Sequence, residues 1–268
     1  MKLEYLSQKD GFLGMGEELM GAAENAQVVV IPYGLEKSVS YMGGTAKGPQ
    51  AMIDASKTLE FFDEDLWCEP FREVGIATLK EPKIPANMLD ALKLLEEQTK
   101  AVLDQGKFPF IFGGEHSITC GSIRPFAKKY KDLAILHFDA HADLRDGYDN
   151  EHYSHAAALR RCLDFENVSL VSCAIRNISQ EELPFYEANK HRIKIYWARD
   201  KKKWNVDEIV KHLEGKPVYL SFDIDGFDAS MIPATGTPEP GGIFWYDAIQ
   251  IIAAAAKKCN IVGADINE

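Results

Sequence analysis

Eight short apolar runs punctuate the chain: QVVVIP (27–32), 74–78, FPFIF (108–112), LAILHF (133–138), VSLVSCA (168–174), 193–197, PVYLSF (217–222) and 260–265. They are rich in β-branched and aromatic residues, and the intervals between them are too long for hairpins. Several are apolar on both faces, as expected of strands covered by helices on each side. Helical periodicity fills most of the gaps. In 86–105, Met88, Ala91, Leu92, Leu95, Val102 and Leu103 mark one broad face, and Gly106 is placed to end the helix. Residues 246–258 (YDAIQIIAAAAKK) predict a largely buried helix with lysines in its last turn. This alternation predicts an α/β fold of three layers, a mostly parallel eight-stranded sheet with helices on both faces. No internal repeat, low-complexity tract or linker interrupts it, so residues 1–268 read as one domain.

Composition changes this picture little. The 268 residues are 46% hydrophobic and 26% charged, enough to bury a substantial core without staples. The five cysteines are scattered and include no CxxC pair, which argues against a disulfide framework or zinc ribbon and for a reducing compartment. No stretch has the apolar length of a signal peptide or membrane span, so a cytoplasmic location is the expectation and no membrane partner is. The formal charge of −11 disfavours nucleic acid, whose phosphates need a basic surface. It is compatible with a cationic substrate.

The chemistry sits where the predicted strands end. GGEHS (113–117) follows FPFIF, DAHAD (139–143) follows LAILHF, DIDGFD (223–228) follows PVYLSF, and DINE (265–268) ends the last strand. Ligands of open α/β sheets bind at the carboxyl ends of strands. If the chain stays extended, alternation puts Asp139, His141 and Asp143 on one side, and Asp223 and Asp225 share that spacing. With His116 these make two imidazoles and four carboxylates, enough donors for a binuclear site with bridging carboxylates. The set is oxygen-rich and lacks thiolate. That favours Mn²⁺ over Fe²⁺, Co²⁺ or catalytic Zn²⁺. Taken singly, each fragment has an ordinary explanation: a satisfied core histidine, a glycine turn with a helix cap, part of a calcium loop. All of them together at strand ends do not.

GGEHS, FDAHADLR, SFDIDGFDAS with ATGTPEPGG, and GADINE, in this order, resemble the signatures of the ureohydrolase family of arginases and agmatinases. The resemblance runs from about residue 30 to the last residue. It implies an arginase-like α/β fold and two Mn²⁺ per chain. One ion would be held by His116, Asp139, Asp143 and Asp223, the other by Asp139, His141, Asp223 and Asp225. It also implies attack of an activated hydroxide on a guanidinium carbon, with Asp225 passing a proton to the leaving amine and Glu268 pairing with the guanidinium nitrogens. His155, in YSHAAALRR, matches the family's proton-shuttle histidine; the nearby His152 fits that pattern less well. Thr237, in TGTP, takes a position lining the guanidinium pocket. GGTAKGP (43–49) resembles the family's N-terminal pocket loop, with Pro49 in the first turn of a helix. Glu115 stands where the family commonly has aspartate in GGDHS, an arm longer by one methylene, and reads as support rather than ligand.

Family arginases hold the α-groups of arginine with residues just after DAHxD, including an asparagine where this chain has Arg145. RDGYDNEHYSH (145–155) instead resembles the agmatinase version, so agmatine is the expected substrate. Arginine, guanidinobutyrate, formiminoglutamate and aminopropylagmatine are the alternatives, and Arg145 could also attract a carboxylate. In a different class stands a binding protein of the same fold without turnover. A zinc deacetylase of related fold would carry adjacent histidines, and no His-His pair occurs. The resemblance further implies a homo-oligomer, trimer or hexamer, and a closing segment beyond Glu268.

Overall fold

The structure, a computed structural model, describes residues 1–268. All eight predicted strands are present: β1 (Val28–Tyr33), β2 (Ile76–Thr78), β3 (Phe108–Gly113), β4 (Leu133–Phe138), β5 (Val168–Ile175), β6 (Ile193–Trp197), β7 (Pro217–Asp223) and β8 (Asn260–Asn267). They form one sheet in the order β2-β1-β3-β8-β7-β4-β5-β6, and every neighbouring pair is parallel. The sheet is therefore parallel throughout rather than mostly so. β2 starts later than the predicted 74–78, because Pro70–Val74 forms a short helix that stops at Gly75 with φ +62°.

Side chains alternate across the sheet. Leu133 and Ile135 of β4 join Val168, Leu170 and Tyr219 in a 31-residue core on one face. Ala134, Leu136 and Phe138 join Val171, Cys173 and Val218 in a 16-residue core on the other. The helix Met88–Leu103 begins at Asn87, whose side chain accepts from the Asp90 N–H. It packs Ala91, Leu92, Leu95 and Val102 into the first core, and Gly106 follows with φ +72°. Trp245–Lys258 lies over the second core. It is not the largely buried helix expected: Ala248, Ile251 and Ala255 are buried, while Trp245 and Tyr246 are exposed. A helix laid on one side of a sheet buries only one stripe. Pro49 does stand in the first turn of a helix, Gly48–Ser56.

The strand order has a direct consequence. The four strands that end in GGEHS, DINE, DIDGFD and DAHAD are β3, β8, β7 and β4, consecutive in the middle of the sheet. Because all run the same way, the four polar segments leave the sheet side by side at one edge.

Candidate active site

Each segment turns sharply where it leaves its strand. Gly114 follows β3, and a Cβ there would lie 2.1 Å from the Leu35 carbonyl oxygen; only glycine lets the chain pass. Gly226 is as constrained, since its Cβ would meet the Asp139 nitrogen at 2.8 Å. That close approach brings the β7 turn against the start of the DAHAD segment.

Extended alternation is not what gathers the aspartates. The ladder of β4 ends at Phe138, and His141 rejoins neighbouring chain only through an isolated bridge to Asn177. Asp143 reaches the site through left-handed backbone, φ 53°, which costs a non-glycine residue about 1–2 kcal/mol. Asp225 lies in the 3-10 turn Ile224–Gly226, with its N–H donating to Asp223 Oδ1 at 2.9 Å. Donors must surround a point, and a straight strand offers them only along a line.

The six residues converge. His116 Nδ1 lies 3.1 Å from Asp139 Oδ2, 3.1 Å from Asp143 Oδ2 and 3.4 Å from Asp223 Oδ2. His141 Nδ1 lies 3.0 Å from Asp225 Oδ2 and 3.4 Å from Asp139 Oδ1. The two oxygens of Asp139 are thus divided between two groups of donors. Except for His141 all are buried, Asp139 completely. Burial, reinforced by the charge of Asp139, raises the Asp143 carboxyl to about 7. Burial, with Asp225 and Asp139 beside it, pushes Asp223 well above the carboxylate range. For Asp139 burial acts in the same direction, but His116, His137 and His141 outweigh it and hold the acid well below its usual value. So many buried acids at one place favour a cation among them.

His116 tests that fit. Its Nδ1 is buried and makes no well-formed hydrogen bond despite three adjacent oxygens, so nitrogen and oxygens are directed at common space rather than at one another. Behind it, Nε2 lies 3.1 Å from Ser221 Oγ, which donates to Asp265 Oδ1 at 2.8 Å. Asp265 also accepts from Thr119 Oγ1, Tyr219 OH and Asn267 Nδ2. With the serine proton committed to Asp265, His116 donates from Nε2 and presents the Nδ1 lone pair forward, as a metal ligand must. The donor atoms of Asp139, His141 and Asp225 lie within 4.8 Å of one another, as do those of His116, His137 and Asp139. Both groups could hold an ion.

Above this floor opens a cavity of about 340 Å³ whose lining includes Thr237, His155, Glu268 and Arg145. Thr237 Oγ1 lies 3.4 Å from Asp225 Oδ2. Glu268 Oε1 accepts from the His116 N–H at 2.9 Å, and burial raises its carboxyl to about 8. His155 faces the cavity, whereas His152 is turned to Arg161. Arg145 pairs with Glu181 at 2.8 Å and lies over the Tyr148 ring at 5.3 Å. The structure thus brings all ten candidate residues to one site.

Sequence reasoning missed the supporting residues. His137, fully buried, has Nδ1 3.0 Å from Ser172 Oγ and Nε2 3.0 Å from Asp139 Oδ2. Ser221 sits two positions before Asp223 on β7, and His137 two positions before Asp139, which lies just past the end of β4; that period was the available signal. Arg176, just past β5, donates to the carbonyls of Asp225 (2.7 Å), Phe227 (3.1 Å) and Glu239 (2.8 Å), tying the β7 turn to the segment bearing Thr237. No local pattern announced it.

Fold and comparisons together define the class, a hydrolase of the ureohydrolase type built on an arginase-like fold. A model of the arginase family matches residues 26–268, and the chain belongs to that family. It is 37% identical to an agmatinase of Bacillus anthracis over 254 residues, covering 91% of this chain and 84% of the relative. It is 33% identical to an N(1)-aminopropylagmatine ureohydrolase of Synechocystis sp. over 261 residues, 94% of this chain and 84% of that one. A solved structure of an agmatine ureohydrolase from Thermoplasma volcanium superposes with a TM-score of 0.83 at 30% identity, covering 94% and 84% of the two chains.

Proposed function

We propose that this chain hydrolyses the guanidino group of agmatine to urea and putrescine, using two Mn²⁺ ions. The observation that carries the reading is the divided Asp139 carboxylate, one oxygen toward His116 and the other toward His141, on the floor of a cavity walled by Glu268 and Thr237. His116, Asp139, Asp143 and Asp223 would hold one ion, and Asp139, His141, Asp223 and Asp225 the other. The oxygen-rich, thiolate-free set suits Mn²⁺. Bound there, the cations would supply Lewis-acid charge and make water acidic enough to yield hydroxide near neutral pH.

The protein groups do the rest. Glu268 pairs with the planar guanidinium, an interaction that orients as well as attracts. Asp225, held by the Ala140 N–H at 2.9 Å, accepts the proton of the nucleophile and returns it to the leaving nitrogen. His155 exchanges with solvent the other water proton, the one given up when hydroxide forms. Burial lowers its pKa, so near pH 7 it is neutral and able to accept.

Charge on the cavity wall supports the substrate. Arg145 already has a carboxylate partner in Glu181, and the wall also carries Glu239. A ligand ending in an amine meets acid there; one ending in a carboxylate must compete for Arg145. Relatives named for agmatine and aminopropylagmatine agree with this.

Urea release by the Mn²⁺-loaded protein tests the reading, with agmatine, aminopropylagmatine, arginine and guanidinobutyrate run side by side. Agmatine is expected to have the highest kcat/KM. Preference for aminopropylagmatine would keep the chemistry and lengthen the substrate. Preference for arginine would overturn the assignment of the Arg145 wall, and no urea from any of them would overturn the function.

A further inference from the structure

Glu115 is fully buried beside the site and belongs to none of the roles above. Its Oε2 accepts from the backbone N–H groups of Lys37 (2.5 Å) and Ser38 (2.6 Å). Its Oε1 accepts from the hydroxyls of Ser38 (2.8 Å) and Ser117 (2.5 Å). A carboxylate with four donors is well satisfied and stays where they place it. Ser38 is the informative one of the four. Its hydroxyl oxygen accepts from the His155 N–H at 2.9 Å and lies 3.2 Å from His155 Nδ1.

A serine hydroxyl has one proton. At Ser38 that proton goes to Glu115, so only lone pairs face the His155 ring. An unprotonated Nδ1 at that distance would set lone pair against lone pair, and a protonated one donates. Ser154 Oγ, 3.3 Å from the same nitrogen, is able to accept as well. His155 Nε2 makes no hydrogen bond within the chain, and the residue lines the cavity.

We propose that Glu115 and Ser38 are positioning residues for His155. Glu115 orients the Ser38 hydroxyl, Ser38 holds the ring and the proton on Nδ1, and Nε2 is left as the atom that exchanges protons with the substrate cavity. The inference rests on the acid–base role given to His155 above. It also gives the GGEHS turn two duties, since His116 serves the metal site and the preceding residue serves proton transfer. An aspartate at this position would be a methylene shorter, so the reach to Ser38 depends on glutamate.

A mutant cycle on the Mn²⁺ enzyme tests it, with a readout that needs no turnover. His155→Ala is expected to lower kcat about 100-fold, the usual size of a lost general acid–base group. Glu115→Gln and Ser38→Ala should each lower kcat about tenfold, with KM within twofold and metal content unchanged. In the His155→Ala background neither should cost anything further. Equal losses with and without His155 would make the pair structural and overturn the inference alone; a wild-type rate in His155→Ala would overturn the role of His155 itself. Ser38→Ala removes one oxygen from a half-buried side chain, so it keeps the cycle usable if Glu115→Gln folds poorly. Separately, ¹⁵N spectra of histidine-labelled protein loaded with a diamagnetic divalent cation should give the Nδ1–H tautomer for His155, with the two tautomers mixed in Ser38→Ala. An Nε2–H tautomer in the unmodified protein would overturn the proposal whatever the substrate.

Discussion

His116 carries the argument at the residue scale. Its donor nitrogen is chosen from behind, by Ser221 and through it by the buried Asp265. Removing Ser221 Oγ would leave Nε2–H buried without an acceptor and free the ring to turn or change tautomer. Ser221→Ala is therefore expected to bind metal about 10–100-fold more weakly, a typical loss for an outer partner of a ligand, with the fold retained. Metal content after equilibration against a limiting chelator measures it. An unchanged affinity would mean that the Asp265 network is structural only. The ligand candidates themselves were legible in the sequence, because histidine and aspartate at strand ends are chemically conspicuous. Ser221 and Thr119 were not, since a serine or threonine on a strand or helix start looks the same whether or not it orients a ligand.

At the scale of elements, the DIDGFD turn divides its three acids. Asp223 and Asp225 face the site, but Asp228 is a staple. Its carboxylate accepts from Ser230 Oγ, the Ser230 N–H (3.0 Å), the Gly241 N–H (2.6 Å) and the Gly242 N–H (3.2 Å). These bonds lower its pKa to about 2 from an ordinary 3.8, and they close the loop that carries Thr237. A folded-state pKa below the unfolded one stabilises the fold above the unfolded value, and that stabilisation is lost as pH falls toward the folded one. Asp228→Asn should thus destabilise by about 1 kcal/mol at pH 6, a modest figure because solvent reaches the group. The deficit should shrink between pH 4 and pH 2. Urea melts of both proteins across that range give the measurement, and a difference independent of pH would remove the charge from the account.

At the scale of the whole molecule, the two cores on either face of the sheet decide which groups solvent can reach. Cys120, Cys162 and Cys173 are buried and free, while Cys68 and Cys259 are partly exposed. Burial also raises the Cys120 thiol to about 12, so it carries almost no thiolate at neutral pH. Alkylation of the native protein should modify Cys68 and Cys259 first and leave the other three until unfolding. Early labelling of Cys120 or Cys162 by peptide mass mapping would mean that the larger core opens locally.

The sequence by itself determined the eight strands, their helical covers and the residues at the strand ends, because hydrophobic period and residue chemistry are written within a dozen positions. The tertiary structure decided what could not be read locally. It set β3, β8, β7 and β4 side by side, although residues 113 and 265 are far apart in the chain. It bent the backbone at Asp143 and Asp225 so that donors surround a point. It also assigned Asp228, Glu115 and Arg176 their partners, since a hydrogen bond between distant segments depends on strand order and register, which only the folded sheet supplies.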